Sequence, residues 1–258
     1  MEQFNKVVGN FVRHKGKYAA VAVALALTGA STMPVMAAQT NLQGVNSTSG
    51  TNLNGGGATG TDAAAFGTNA TASGSQSVAV GQNANATGND AVAIENATAS
   101  GLRSIAIGNG ASSTQQDAVS IGTNAITWGS NSVALGNNAK AASWNSVVIG
   151  FNAYSSEGNS VVIGPNVKFD DTFSSYVRTG YNGSVTAIGT DVQVAQSMTV
   201  AIGVARALAQ NSIAIATHSG YPAITQSDGS LAVGNWAIVY TGSDGAQAIG
   251  RQAQVDAN

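Results

Sequence analysis

A five-residue motif returns along this chain at an almost constant interval. Ser77-Val78-Ala79-Val80-Gly81 is followed by Ala91-Val92-Ala93-Ile94-Glu95 and Ser104-Ile105-Ala106-Ile107-Gly108. Ala118-Val119-Ser120-Ile121-Gly122, Ser132-Val133-Ala134-Leu135-Gly136, Ser146-Val147-Val148-Ile149-Gly150 and Ser160-Val161-Val162-Ile163-Gly164 continue it. The closing positions are 67, 81, 95, 108, 122, 136, 150 and 164, and the series resumes at 189, 203, 216, 234 and 250. A fixed period of 14 residues constrains the fold more than any single residue does, because each copy must take the same path.

Within a copy, the β-branched second and fourth residues share one face of a short strand, and Ser, Ala and Gly share the other. A turn rich in Asn and Gly follows, both tolerant of positive φ. Then comes a second small-residue segment such as Ala84-Asn85-Ala86-Thr87-Gly88. Strand, turn, strand and turn make one coil of a parallel β-solenoid. An antiparallel meander would alternate in pattern between odd and even copies, and these copies do not. Val and Ile are expected to fill the core. The Ala/Ser/Gly face, which lacks charge, is expected to meet other chains. One coil cannot stand alone: ordering a backbone residue costs roughly 1–2 kcal/mol, and a buried Val or Ile returns roughly 1.5–3 kcal/mol. Stacking must supply the rest.

Composition narrows the function. Only 9% of residues are charged, against roughly a quarter in ordinary globular proteins, and 6% are aromatic. Cysteine is absent, which removes disulfides, thiolate nucleophiles and Cys-type metal sites. The net charge of −2 argues against nucleic acid as a partner.

Residues 1–38 read as a secretory signal peptide. Lys6, Arg13, Lys15 and Lys17 precede an apolar run from Ala19 to Leu27, and Val35-Met36-Ala37-Ala38 offers small-residue cleavage sites. The run is too short to span a bilayer. Removing the leader takes those four bases and Glu2, leaving 6 Lys/Arg and 11 Asp/Glu. Residues 39–62 read as a flexible Gly/Ser/Asn/Thr linker, 63–253 as the β-roll, and 254–258 as a tail. Gly55-Gly56-Gly57-Ala58-Thr59-Gly60 matches G-x-G-x-x-G but lacks the flanking strand, the helix and the acid a dinucleotide site requires.

Asn131-Ser132-Val133-Ala134-Leu135-Gly136-Asn137-Asn138-Ala139 and Asn145-Ser146-Val147-Val148-Ile149-Gly150-Phe151-Asn152-Ala153 are similar to the head repeats of trimeric autotransporter adhesins, the YadA-like family. The resemblance covers residues 63–253. It implies a left-handed parallel β-roll of about thirteen coils that assembles as a homotrimer. It also implies a cell-surface or secreted adhesin that attaches to host extracellular matrix such as collagen, or to other surface ligands, without catalysis, cofactor or metal. Members of the family continue into a coiled-coil stalk and a β-barrel anchor. The sequence up to Asn258 has no such heptads or amphipathic strands, so the membrane anchor is expected outside this chain.

The step from 164 to 189 marks an insertion within 165–186 that gathers Phe169, Asp170, Asp171, Tyr176, Arg178 and Tyr181. It reads either as a ligand-contact loop, with Phe169, Asp170, Asp171, Tyr176 and Tyr181 as its contacts, or as a tolerated hairpin. Asp170-Asp171 fits neither an EF-hand nor a Ca²⁺-binding β-roll motif. His218 has no nucleophile elbow beside it. Trp128, Trp144 and Trp236 fall in turns or second segments, as exposed contacts or as plugs between subunits. A structural or released solenoid without a specific receptor, and a left-handed β-helix acyltransferase, are the competing readings. The latter calls for a period of six and a catalytic His.

Overall fold

The computed structural model describes residues 42–43, 57–169, 184–190, 192–196, 198–217 and 220–257. The leader, most of the linker, residues 170–183 and His218 lie outside the described residues. The fold is an all-β parallel solenoid of about 12 turns, without a helix among the described residues.

One coil gives the plan. Val78–Val80 forms the first strand and Asn85–Ala86 the second. Gly81 (φ 111) and Asn83 (φ 56) turn the first corner, and Asp90 (φ 56) turns the second. First strands of successive coils pair only with first strands, and second with second, so the coils build a 14-stranded and a 13-stranded sheet. Every pairing between the described strands is parallel, as in Val78↔Val92, Ala79↔Ala93 and Val80↔Ile94. The corners are bonded too. The Asn83 amide donates to the Thr68 carbonyl at 2.9 Å, and that of Asp90 to Ser75 at 2.8 Å. Left-handed φ therefore recurs at the non-glycine residues Asn69, Gln76, Asn83 and Asp90, one of them at each corner.

The core contradicts the expectation drawn from the β-branched residues. In Val78–Val80 and in most first strands, the middle residue is buried and its neighbours are half-exposed. Ala65, Ala79, Ala93, Ala106, Ser120 and Ala134 are fully buried, facing a second inward column of Ala72, Ala86, Ala99, Ser113, Thr127 and Ala141. The Val and Ile residues at the first and last positions of these strands point outward. The reason is width. Two strands of two or three residues, joined by tight corners, enclose a slot that takes methyl and hydroxyl groups but not two facing isobutyl groups. Larger side chains enter the core near the insertion, where Val148, Val162, Val167, Val185, Val192 and Val194 are buried. Interior hydroxyls bond locally: Ser77 Oγ donates to the Gly74 carbonyl at 2.7 Å, and Thr127 Oγ1 to that of Val119 at 2.8 Å.

Irregular steps fall at corners. Glu95 (φ 67) takes a glycine position because its corner is one residue short: Asn96 alone separates it from buried Ala97. Six residues, 217–222, separate Ala216 from Ala223 where two separate Gly81 from Ala84. The long insertion leaves the sheets intact, since Val161–Ile163 pairs with Thr186, Ala187 and Ile188, and Lys168–Phe169 with Gln193–Val194. Its extra residues therefore lie between Phe169 and Val185, a tighter span than 165–186.

The coil also begins earlier than residue 63. Leu42–Gln43 pairs with Ala64 and Ala65, and Ala58 bridges to Ala72. The Thr59 and Gly60 amides donate to the Ala72 carbonyl at 2.9 and 3.1 Å. The last glycine of the G-x-G-x-x-G stretch serves coil stacking: a Cβ at Gly60 would collide with the Gly74 carbonyl oxygen.

Candidate binding surfaces

The outward face of the first sheet carries two columns in strict register. One runs Val78, Val92, Ile105, Val119, Val133, Val147, Val161, and the other Val80, Ile94, Ile107, Ile121, Leu135, Ile149, Ile163. Leu135 is 39% exposed and Ile249, at the far end, 63%. Six steps of about 4.8 Å carry the two columns about 29 Å along the sheet as an apolar stripe. The stripe is the consequence of the narrow core. Because the slot accepts only small residues, the β-branched residues that favour the strands are placed on the surface.

The outward face of the second sheet differs. In backbone register one column of that sheet reads Thr71, Asn85, Thr98, Ser112, Ile126, Lys140, Tyr154, Lys168, Gln193, Arg206, Ile224. Three of the six bases outside the leader stand in this column, and none of the 11 acids does. Arg206 is exposed and Lys140 half-buried. The repeat phase carried the signal that would have found them: Lys140, Tyr154 and Lys168 each stand four residues after a motif-closing glycine.

At the second corner, Arg103 follows Asp90 and precedes Asp117 in one column. Its Nε donates to Asp117 Oδ1 at 2.6 Å and its Nη2 to Oδ2 at 2.8 Å. Those bonds, aided by one from Gln116, hold the Asp117 carboxyl below the usual carboxylate range. Hydrogen bonding to Asp117, then its charge, raises Arg103. Asparagines form a parallel device at the other corner, where Asn138 Nδ2 donates to Asn152 Oδ1 at 3.2 Å and Asn152 Nδ2 to Asn166 Oδ1 at 3.3 Å.

Of the expected ligand contacts, Phe169 falls in the register column between Ser155 and Val194, both buried. Asp170, Asp171, Tyr176 and Tyr181 lie outside the described residues. The tryptophans are all at or beside corners and exposed. Trp128 is 49% exposed, and Trp144 lies across Gly158 of the next coil. Trp236 (φ 63) packs on Tyr221 with ring centroids 5.2 Å apart. The described residues contain no cluster of His, Asp and Glu able to hold a metal ion.

The chain matches the model of the YadA head domain repeat (2 copies) over residues 58–84, 72–94, 95–111, 113–139 and 145–166. A comparison with curated proteins finds no match.

Proposed function

Residues 58–166 are YadA-like head repeats, the repeats of an adhesin family, and from that premise we propose that the chain is the head of a trimeric surface adhesin. Three left-handed rolls stand side by side with their Val/Ile stripes turned inward, and the polar second sheets face the medium. The observation that carries this reading is the unbroken apolar stripe from Val78 and Val80 to Ile163. Uncovered, it would leave β-branched side chains in water on every coil. Buried among three copies, it adds roughly 25 cal/mol per Å² of apolar surface removed from water.

The head is exported through the 1–38 leader and displayed at the cell surface. It attaches to host extracellular matrix such as collagen by multivalent contact, three identical rods multiplying weak interactions. The insertion beginning at Phe169, with Asp170, Asp171, Tyr176 and Tyr181, supplies a ligand-contact loop at one level of the rod. Sedimentation equilibrium of the processed protein should return three times the chain mass, and a monomer would end the trimer reading. Binding to immobilised collagen with and without residues 170–183 tests the loop, and unchanged binding would remove it.

A further inference from the structure

A three-residue pattern recurs in the early coils, and the narrow core fixes how it is displayed. Among the described residues, Asn-x-Ser/Thr occurs at Asn69-Ala70-Thr71, Asn85-Ala86-Thr87 and Asn96-Ala97-Thr98. These stand in three successive coils, since Thr71 pairs in register with Asn85 and Asn85 with Thr98. In each triplet the middle alanine is fully buried. Asn69, Thr87 and Asn96 are exposed, and Thr71, Asn85 and Thr98 half-exposed. The slot thus pins the middle residue inward, and amide and hydroxyl flank it on the outer side, as residues two apart on a strand do. Later coils keep a corner asparagine but lose the hydroxyl: Asn124, Asn138 and Asn152 are followed two positions on by Ile126, Lys140 and Tyr154. Asn69 and Asn96 both stand at first corners, two coils apart, or about 10 Å along the sheet. Their Nδ2 atoms donate to Asn83 Oδ1 and Asn109 Oδ1, each at 3.2 Å.

We propose that Asn69, Asn85 and Asn96 are N-glycosylation sites, acceptors for a sugar activated at its anomeric carbon by a phosphate ester. An Asn-x-Ser/Thr triplet displayed on a protein surface is the acceptor that such a transfer requires. In the step, Nδ2 forms a bond to C1 of the sugar, and the bond from C1 to the phosphate oxygen breaks. The phosphate departs with the electron pair, and one amide proton passes to a base of the transferase. The product amide keeps one N–H. That is enough for the bond that Asn69 makes to Asn83 and Asn96 to Asn109, so the added sugar is compatible with the stacked coils. The residues in register around the acceptors are small: Thr71, Asn85, Thr98 and Ser112 follow one another across the second sheet. None of the three asparagines belongs to the Val/Ile stripe, so the inference holds for one chain or for three.

Mass spectrometry of the protein isolated from the cells that produce it tests this. The intact mass should exceed that of the chain by whole sugar residues, with fragment spectra placing them on Asn69, Asn85 and Asn96. Thr71→Ala should abolish the sugar on Asn69 and leave those on Asn85 and Asn96, whereas Thr71→Ser should retain all three. Circular dichroism of both variants should still be that of a β protein, which separates a lost acceptor from a lost fold. Incubating sugar-free chain with fractions of the same cells identifies the donor. Transfer by the soluble fraction supports the sites with a sugar nucleotide as donor, and transfer by the membrane fraction supports them with a lipid-linked sugar. An intact mass with no added sugar, sugars confined to Ser or Thr, or a sugar on Asn69 that survives Thr71→Ala would overturn the proposal.

Discussion

Arg103 and Asp117 occupy the same left-handed corner position in successive coils, φ 55 in each, and the guanidinium holds the carboxylate through two bonds of 2.6 and 2.8 Å. Stacking alone brings them together, since the residues are one turn apart. Because folding lowers the Asp117 pKa, the pair's stabilisation is present above the unfolded value near 3.9 and is lost as pH falls through the folded value. Asp117→Asn should therefore lower the melting temperature slightly at about pH 7, with the difference disappearing in strong acid and shrinking in high salt. Thermal unfolding followed by circular dichroism across pH reads this directly.

Packing in the slot predicts an inversion of the usual core rule. Ala93 is fully buried and Val92 half-exposed. Ala93→Leu should destabilise by about 1–3 kcal/mol or more, because the added carbons have no space. Val92→Thr should leave the unfolding midpoint of the isolated chain nearly unchanged. Urea denaturation of both variants compares them.

Glycines separate into two kinds. A Cβ at Gly88 would strike the Gly101 carbonyl oxygen of the next coil, whereas at Gly245 (φ 72) nothing lies within 4 Å. Gly245→Ala should cost about 1–2 kcal/mol, the penalty of a left-handed backbone. Gly88→Ala should cost more, because two stacked backbones must part. Paired denaturation curves would show the order.

Buried hydroxyls are not equivalent. Thr127 Oγ1 donates to the Val119 carbonyl and lies 2.8 Å from Ser120 Oγ, while Ser104 Oγ has no hydrogen-bond partner. Thr127→Val should cost about 1–3 kcal/mol, and Ser104→Ala should be neutral or stabilising. Calorimetric melting of the two variants tests the contrast.

The apolar stripe makes a prediction about assembly. Ile121→Lys combined with Ile149→Lys places two cations two coils apart on the face proposed to be shared. Sedimentation should find monomers whose circular dichroism is still that of a β protein.

Much of the fold was legible in the repeat. Strand, Asn/Gly turn, second strand and parallel stacking all follow from the motif ending at Gly81 and from Asn83, because a fixed period forces equivalent residues into equivalent places. The start of the coil is less legible, since Ala58 and Gly60 carry its pattern in a stretch whose composition resembles a linker. The cation column was hidden for another reason: Lys140 and Arg206 are 66 positions apart, and only their phase in the repeat relates them.

The alternation in Val78-Ala79-Val80 determined by itself that the two valines share one side and the alanine takes the other. It did not decide which side is the interior. That was settled by the closeness of the two sheets, which the tight corners at Asn83 and Asp90 impose: a slot this narrow admits Ala79 and Ala86 and excludes Val78 and Val80. Hydrophobicity ranks the side chains, but the width of the closed coil chooses among them, and width exists only once the chain has returned on itself.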